Sequence, residues 1–169
     1  WTCWAGYPGP AVWNFVEGPS TIGLVPEPYR AQRTAELKQA ADFAAKFNLP
    51  SITTHVGFLP EDPNDPVYID TVAALKEIVE HCGALGIDFL FETGQETPVT
   101  LLRTIERIGL DNVGINLDTA NVILSGKGHP VVSLDVFRKY AKVLHFKDGF
   151  FPKFGDELGT PVPLGAGKV

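Results

Sequence analysis

Four side chains able to bind a cation or carry a proton recur in one local setting. His55, Glu92, Asp118 and His145 each close a short run of β-branched or apolar residues: Ser51-Ile52-Thr53-Thr54, Ile87-Asp88-Phe89-Leu90-Phe91, Asn112 to Leu117, and Lys142-Val143-Leu144. Imidazole and carboxylate together form a donor set suited to a hard or borderline divalent cation. A single carboxylate at such a place serves more often as a helix cap or a loop hydrogen-bond acceptor. Recurrence at four successive run ends is what points to a cation site, provided that the fold brings those ends together.

The intervening segments predict such a fold. Pro28 to Phe47 spaces Ala31, Ala35, Leu37, Ala40, Ala41, Ala44 and Phe47 close to a 3.6-residue period, which reads as an amphipathic helix with its alanine stripe against a sheet. Asn48-Leu49-Pro50 stops it, because a residue before proline is pushed out of the helical region. A strand then runs to about His55. Further helices are expected over Val67 to Leu85, Pro98 to Ile108 and Pro130 to Tyr140, with strands over Ile87 to Glu92, Asn112 to Leu117 and Lys142 to Phe146. Each strand leads through a helix to the next, so the sheet is parallel.

Right-handed crossovers leave two architectures, an open doubly wound sheet or a closed barrel. No GxGxxG follows a strand and no GxxxxGK precedes Ser or Thr, so the nucleotide-binding open sheets lose their usual mark. The expected class is α/β, a (β/α)8 TIM barrel in partial form. A full barrel takes about 250 residues, whereas residues 1–169 supply four clear βα units, read as one domain, with pieces of further strands at the ends. In a barrel the carboxyl ends of the strands share one mouth, where the four residues would converge. A chain that opens on Trp1-Thr2-Cys3-Trp4 and holds no methionine reads as a fragment, and unpaired sheet edges in a fragment would invite self-association.

Composition narrows the partners. Fourteen Lys and Arg against twenty Asp and Glu give a net charge of -6, which repels phosphate backbones and anionic lipid headgroups, so neither nucleic acid nor a membrane is expected. No apolar run approaches the roughly 20 residues of a membrane-spanning helix. Cys3 and Cys82 lack CxxC spacing, which suggests neither a disulfide framework nor a zinc knuckle and makes a reducing cytoplasm the expected location. With 44% apolar and 20% charged residues, disorder is excluded.

Four blocks carry a resemblance that these patterns do not: Thr54-His55-Val56-Gly57-Phe58, Phe91-Glu92-Thr93-Gly94-Gln95-Glu96-Thr97, Asn116-Leu117-Asp118-Thr119-Ala120-Asn121 and Leu144-His145-Phe146-Lys147-Asp148-Gly149. In this order they resemble the sugar phosphate isomerase/epimerase superfamily, the xylose isomerase-like TIM barrels. Similarity extends over nearly the whole chain, since Gly159 to Gly167 resembles the family's later loop. The resemblance implies one divalent ion (Mn, Co, Mg or Zn) held by Glu92, Asp118, His145 and a second glutamate expected beyond Val169. In epimerase members the two metal-bound glutamates move a proton on and off the carbon beside a carbonyl, which makes Glu92 the expected catalytic residue. One departure stands out: many relatives place a histidine three residues after the aspartate, and here that position is Asn121. Its amide can hydrogen-bond a substrate hydroxyl but is no imidazole ligand. This counts against the multi-zinc, histidine-rich site of endonuclease IV on the same fold.

Around this centre, His55 matches a family position near the substrate, the alternative being a strand-end histidine bonded to a backbone carbonyl. Lys147 alternates with His145, so both can point into the mouth; the alternative is a salt bridge to Asp148 or a neighbouring acid. Gln95 and Glu96 can meet sugar hydroxyls, although Glu96 equally suits a helix start before Thr97-Pro98. Trp4, crowded with Trp1, Tyr7, Trp13 and Phe15, offers an apolar wall for a sugar or simple packing. His81 and His129 lie away from the strand ends and read as structural or solvated. The expected function is divalent-metal-dependent isomerisation or epimerisation of a small-molecule sugar, sugar phosphate or keto-polyol, with the oligomeric state, including a homo-oligomer, left open. Lyase or hydrolase chemistry, such as keto-inositol dehydration or phosphodiester cleavage, and a non-catalytic sugar-binding barrel stay open, because a Glu/Asp/His cation site supports enolisation, elimination and hydrolysis alike.

Overall fold

A computed structural model describes residues 1–169. Five parallel strands, β1 (Cys3–Trp4), β2 (Ser51–Thr54), β3 (Asp88–Glu92), β4 (Val113–Asp118) and β5 (Ala141–His145), pair in sequence order. A doubly wound sheet reverses its strand order at a switch point. Here there is no reversal, and the strands with their helices form a half-barrel, a partial TIM barrel.

The crossovers are α2 (Glu27–Lys46), α3 (Pro66–Ala84), α4 (Pro98–Ile108) and α6 (Pro130–Phe137), with one-turn helices α1 (Gly18–Thr21) and α5 (Asn121–Leu124) in the loops. Proline opens α3, α4 and α6, where its missing N–H costs no hydrogen bond. Side chains cap all three of these starts: Asp65 accepts from the Val67 N–H at 2.8 Å, Thr97 from the Thr100 N–H at 3.3 Å and His129 Nδ1 from the Val131 N–H at 3.4 Å. A hairpin not foreseen from sequence, β6 (Asp148–Phe150) against β7 (Thr160–Val162), follows β5.

The core lies between the sheet and its helices. Ile52, Phe89, Phe91, Ile115 and Leu117 alternate along the strands and meet Leu37, Ala41, Leu75, Ile78, Leu101 and Ile105, all buried. The intervening strand positions, Thr53, Leu90, Glu92, Asn116 and Asp118, face the inside of the half-barrel. The alanine stripe of α2 divides differently from the expectation. Ala41 and Ala44 are buried, but Ala31, Ala35 and Phe47 face solvent, and the inward face instead carries Arg33 and Thr34. The chain entering α2 packs over that end of the helix and supplies the polar partners that Arg33 needs. At the sheet edge, Leu144 and Phe146 are 49% and 66% exposed. No helix is long and apolar enough to cross a membrane.

Candidate metal centre

Glu92 ends β3, Asp118 ends β4 and His145 ends β5, and the register lays Asp118 directly beside His145. His145 Nδ1 lies 2.9 Å from Glu92 Oε1 and 3.1 Å from Asp118 Oδ2. One ligand atom from each of the three falls within 4.8 Å of the other two. Both carboxylates are buried, while the His145 side chain is half exposed and leaves the site open to solvent.

Hydrogen bonds fix the carboxylates from behind. Asp118 Oδ1 accepts from the N–H groups of Ala120 and Asn121 at 3.0 and 2.9 Å. Its Oδ2 is buried without a hydrogen-bond partner and faces His145 and the Lys147 ammonium, the latter at 3.3 Å. Glu92 Oε2 accepts from the Asn116 amide. Burial raises the Glu92 pKa and Asp118 raises it further, against the hydrogen bonds and charge of His145 and the Asn116 amide. Two buried carboxylates, one imidazole and an orphaned carboxylate oxygen turned toward them are a donor set that fits a divalent cation.

The other expected residues divide into those that border this cluster and those that stand back from it. Lys147 Nζ donates to Asn121 Oδ1 at 2.9 Å, so the lysine turns to the mouth, where its ion pair at 3.3 Å is with the neighbouring acid Asp118 and not with Asp148. His55 is buried with Nδ1 unpartnered, which excludes the backbone-carbonyl role for that atom. Burial and then the Lys147 charge push its pKa down to about 3, with His145 lowering it and Gln95 opposing, so the ring is neutral. Indoles of Trp4 and Trp13 meet it edge-on, with ring centroids at 5.3 and 4.9 Å. Trp4 also joins Thr53, Glu92, Asn116, Val143 and His145 around a hollow of about 330 Å³ inside the half-barrel. Gln95 and Glu96 are both buried, with Gln95 Oε1 and Glu96 Oε2 unpartnered. Burial pushes the Glu96 carboxyl up to about 7, against N–H groups of Glu96, Gly94 and Gln95 and the Lys127 charge. Thr97, not Glu96, caps α4.

Outside the cluster, His81 pairs with Asp42 at 2.8 Å and His129 caps α6, both structural as expected. Sequence reasoning missed Asn116 and the Trp13 contact with His55. Asn116 shares the inward parity of Asp118 two residues on, and that signal was readable.

The xylose isomerase-like TIM barrel family model matches residues 8–169. Among solved structures, a xylose isomerase domain protein from Planctomyces limnophilus is 36% identical with a TM-score of 0.91, over 97% of this chain and 60% of that one. A xylose isomerase-like TIM barrel protein from Mycobacterium smegmatis, in complex with magnesium, is 21% identical with a TM-score of 0.68, over 87% of this chain and 56% of its own. An L-ribulose 3-epimerase is 19% identical with a TM-score of 0.65, over 83% of this chain and 47% of its own. The last two share the fold. No curated protein matches the sequence. The chain therefore spans 60% or less of these solved relatives. With a family model covering nearly all of it and strand ends that meet as described, the chain belongs to the xylose isomerase-like TIM barrel family.

Proposed function

We propose that this protein is a divalent-metal-dependent isomerase or epimerase that moves a proton at the carbon next to the carbonyl of a sugar, sugar phosphate or keto-polyol. The observation that carries the reading is the gathering of Glu92, Asp118 and His145 ligand atoms within 4.8 Å at one rim of the half-barrel. Similarity to an L-ribulose 3-epimerase and to a family member crystallised with magnesium supports it. Glu92, Asp118 and His145 would hold the ion, with a second glutamate expected after Val169. When bound, a divalent cation stabilises negative charge on the substrate oxygen.

The chain's own groups take the other roles. Glu92 is the base, receiving the proton on a carboxylate oxygen whose basicity burial raises and a bound cation would lower. Asn116 holds the other Glu92 oxygen in place. Lys147 and Asn121, joined at 2.9 Å, meet a substrate oxygen at the rim. Neutral His55 and the Gln95 amide orient hydroxyls, and the Trp4 ring gives the sugar an apolar wall.

Two measurements on the intact protein test this reading. Calorimetric titration with Mn2+ should give one equivalent, with affinity falling by about tenfold or more in Glu92→Gln and in Asp118→Asn. Incubation with a panel of ketoses and ketose phosphates in D2O should place deuterium at the carbon next to the carbonyl of at least one. Saturation with metal and no deuterium in any sugar would overturn the reading.

A further inference from the structure

Arg33 is fully buried on the inward face of α2, yet none of the chain's ion pairs gives it a carboxylate. An unpaired interior charge is costly, and an apolar side chain of similar length would fill the space without that cost. What the guanidinium does here, an apolar group cannot do. Its Nε donates to Pro8 O at 3.1 Å, Nη1 to Thr21 O at 2.8 Å and to Gly23 O at 2.6 Å, and Nη2 to Pro10 O at 2.8 Å. The rings of Tyr7 and Tyr29 lie 4.4 and 4.6 Å from its central carbon. Carbonyl dipoles and aromatic faces replace the missing counter-charge.

These acceptors belong to the two ends of one loop. Pro8 and Pro10 lie on the way out of β1, Thr21 and Gly23 on the way into α2, and one planar group holds both ends together. A second tie crosses the loop where the Val12 N–H donates to Thr21 Oγ1 at 3.1 Å. The second end is also joined to the residues after His55, with the Leu24 N–H donating to Val56 O at 2.8 Å. Gly23 and Gly57 both have positive φ, 75° and 99°, and their backbones approach so closely that a Cβ on Gly23 would lie 2.0 Å from the Val56 carbonyl. The part of the loop thrown forward between its stapled ends carries Trp13, whose indole meets His55, and Phe15, whose ring meets Phe58 at 6.3 Å.

We propose that Arg33 is a positioning residue of the candidate site: by closing the base of the 8–23 loop it holds the Trp13 indole against His55 at the rim. That His55 borders a substrate site rests on the function proposed above; the placement of Trp13 by Arg33 does not. A residue that served only to stabilise the fold would lower the melting temperature and leave Trp13 where it is.

The test uses the protein with Trp1→Phe and Trp4→Phe, so that Trp13 alone reports. Its emission maximum and acrylamide quenching are compared in that background with Arg33, Arg33→Met and Arg33→Lys, each at a temperature well below its own melting midpoint. Arg33→Met should shift Trp13 emission to the red and raise its quenching constant about twofold, as the ring goes from 44% exposure toward that of a free side chain. Arg33→Lys should fall between, because one ammonium cannot span carbonyls at both ends of the loop. Folded variants with Trp13 emission and quenching equal to the parent would overturn the proposal. So would loss of the folded state in both variants, which would make Arg33 a folding residue. Because the readout is loop position, a chain that exchanged no sugar proton would still return a clear answer on Arg33.

Discussion

His145 Nδ1 sits between two acids, 2.9 Å from Glu92 Oε1 and 3.1 Å from Asp118 Oδ2, although the three residues come from three strands. Strand parity accounts for it. Glu92 and Asp118 occupy inward positions at the ends of β3 and β4, and β5 adds His145 directly beside Asp118 after a bulge between Ala141 and Val143 restores the register. Without that extra residue, the one-residue change in pairing would place the imidazole on the helix side of the sheet.

Asn116 should matter to stability as well as to the site. Its amide donates to Glu92 Oε2, and Asn116→Leu would keep the volume while leaving a buried carboxylate oxygen without that donor. A loss of about 1–3 kcal/mol is expected in urea unfolding at neutral pH. The companion Asn116→Asp exchanges the donor for another acceptor and should cost more. Equal stability of Asn116→Leu and the parent would show that Oε2 finds water instead.

His55 should make the protein acid-sensitive. Its native pKa lies at about 3 and its unfolded one near 6.5, so between those limits the unfolded state binds a proton that the native state refuses. Stability therefore falls as the pH drops below about 6.5, by about 2 kcal/mol at pH 5. Urea unfolding at about pH 7.5 and about pH 5 should show His55→Gln losing less than the parent by that amount. Parallel losses would place the imidazole in contact with solvent.

Glu96 should act in the opposite direction. Its native pKa is raised to about 7, against about 4.3 unfolded, so the native state holds the extra proton across that interval and stability declines as the pH rises through it. Glu96→Gln keeps the shape without the titration. Its stability relative to the parent should climb from about pH 4 to about pH 7, by up to about 3 kcal/mol. A difference that is constant with pH would count against a protonated carboxyl.

The regular part of this fold was legible because its signals are local. Prolines mark the starts of α3, α4 and α6, the runs ending in Thr54, Glu92 and Asp118 are short and buried, and the run ending in His145 is as short and apolar although it lies at the exposed sheet edge. The meeting of Glu92, Asp118 and His145 was legible too, since a parallel sheet in sequence order leaves strand ends little choice. What stayed hidden depends on distant partners. Arg33 in an alanine-rich helix looks solvated until Pro8, Pro10, Thr21 and Gly23 are folded over it. The β1 strand is two residues long and exists by pairing with Ile52 and Thr53. Likewise the β6–β7 hairpin joins segments separated by the loop 151–159, too long for a two-residue turn to announce it.

Asp148 should hold the last loop at all but the lowest pH. Its carboxylate accepts N–H groups from Gly149, Gly165, Gly167 and Val169 at 2.8 to 3.0 Å, and these bonds, that of Val169 foremost, pull its pKa down to about 2. A depressed native pKa means that the stabilisation is fully present above the unfolded value near 3.9 and is lost as the pH falls from there through about 2. Asp148→Asn removes the charge and replaces one acceptor oxygen by a donor that would face those N–H groups. Hydrogen exchange read by NMR at neutral pH should then quicken at Gly165, Gly167 and Val169 by about tenfold or more, while the amides of β3 and β4 in the core keep their protection. Unchanged exchange at the three loop amides would show that Phe150 pairing with Thr160, and not the carboxylate, keeps residues 163–169 in place.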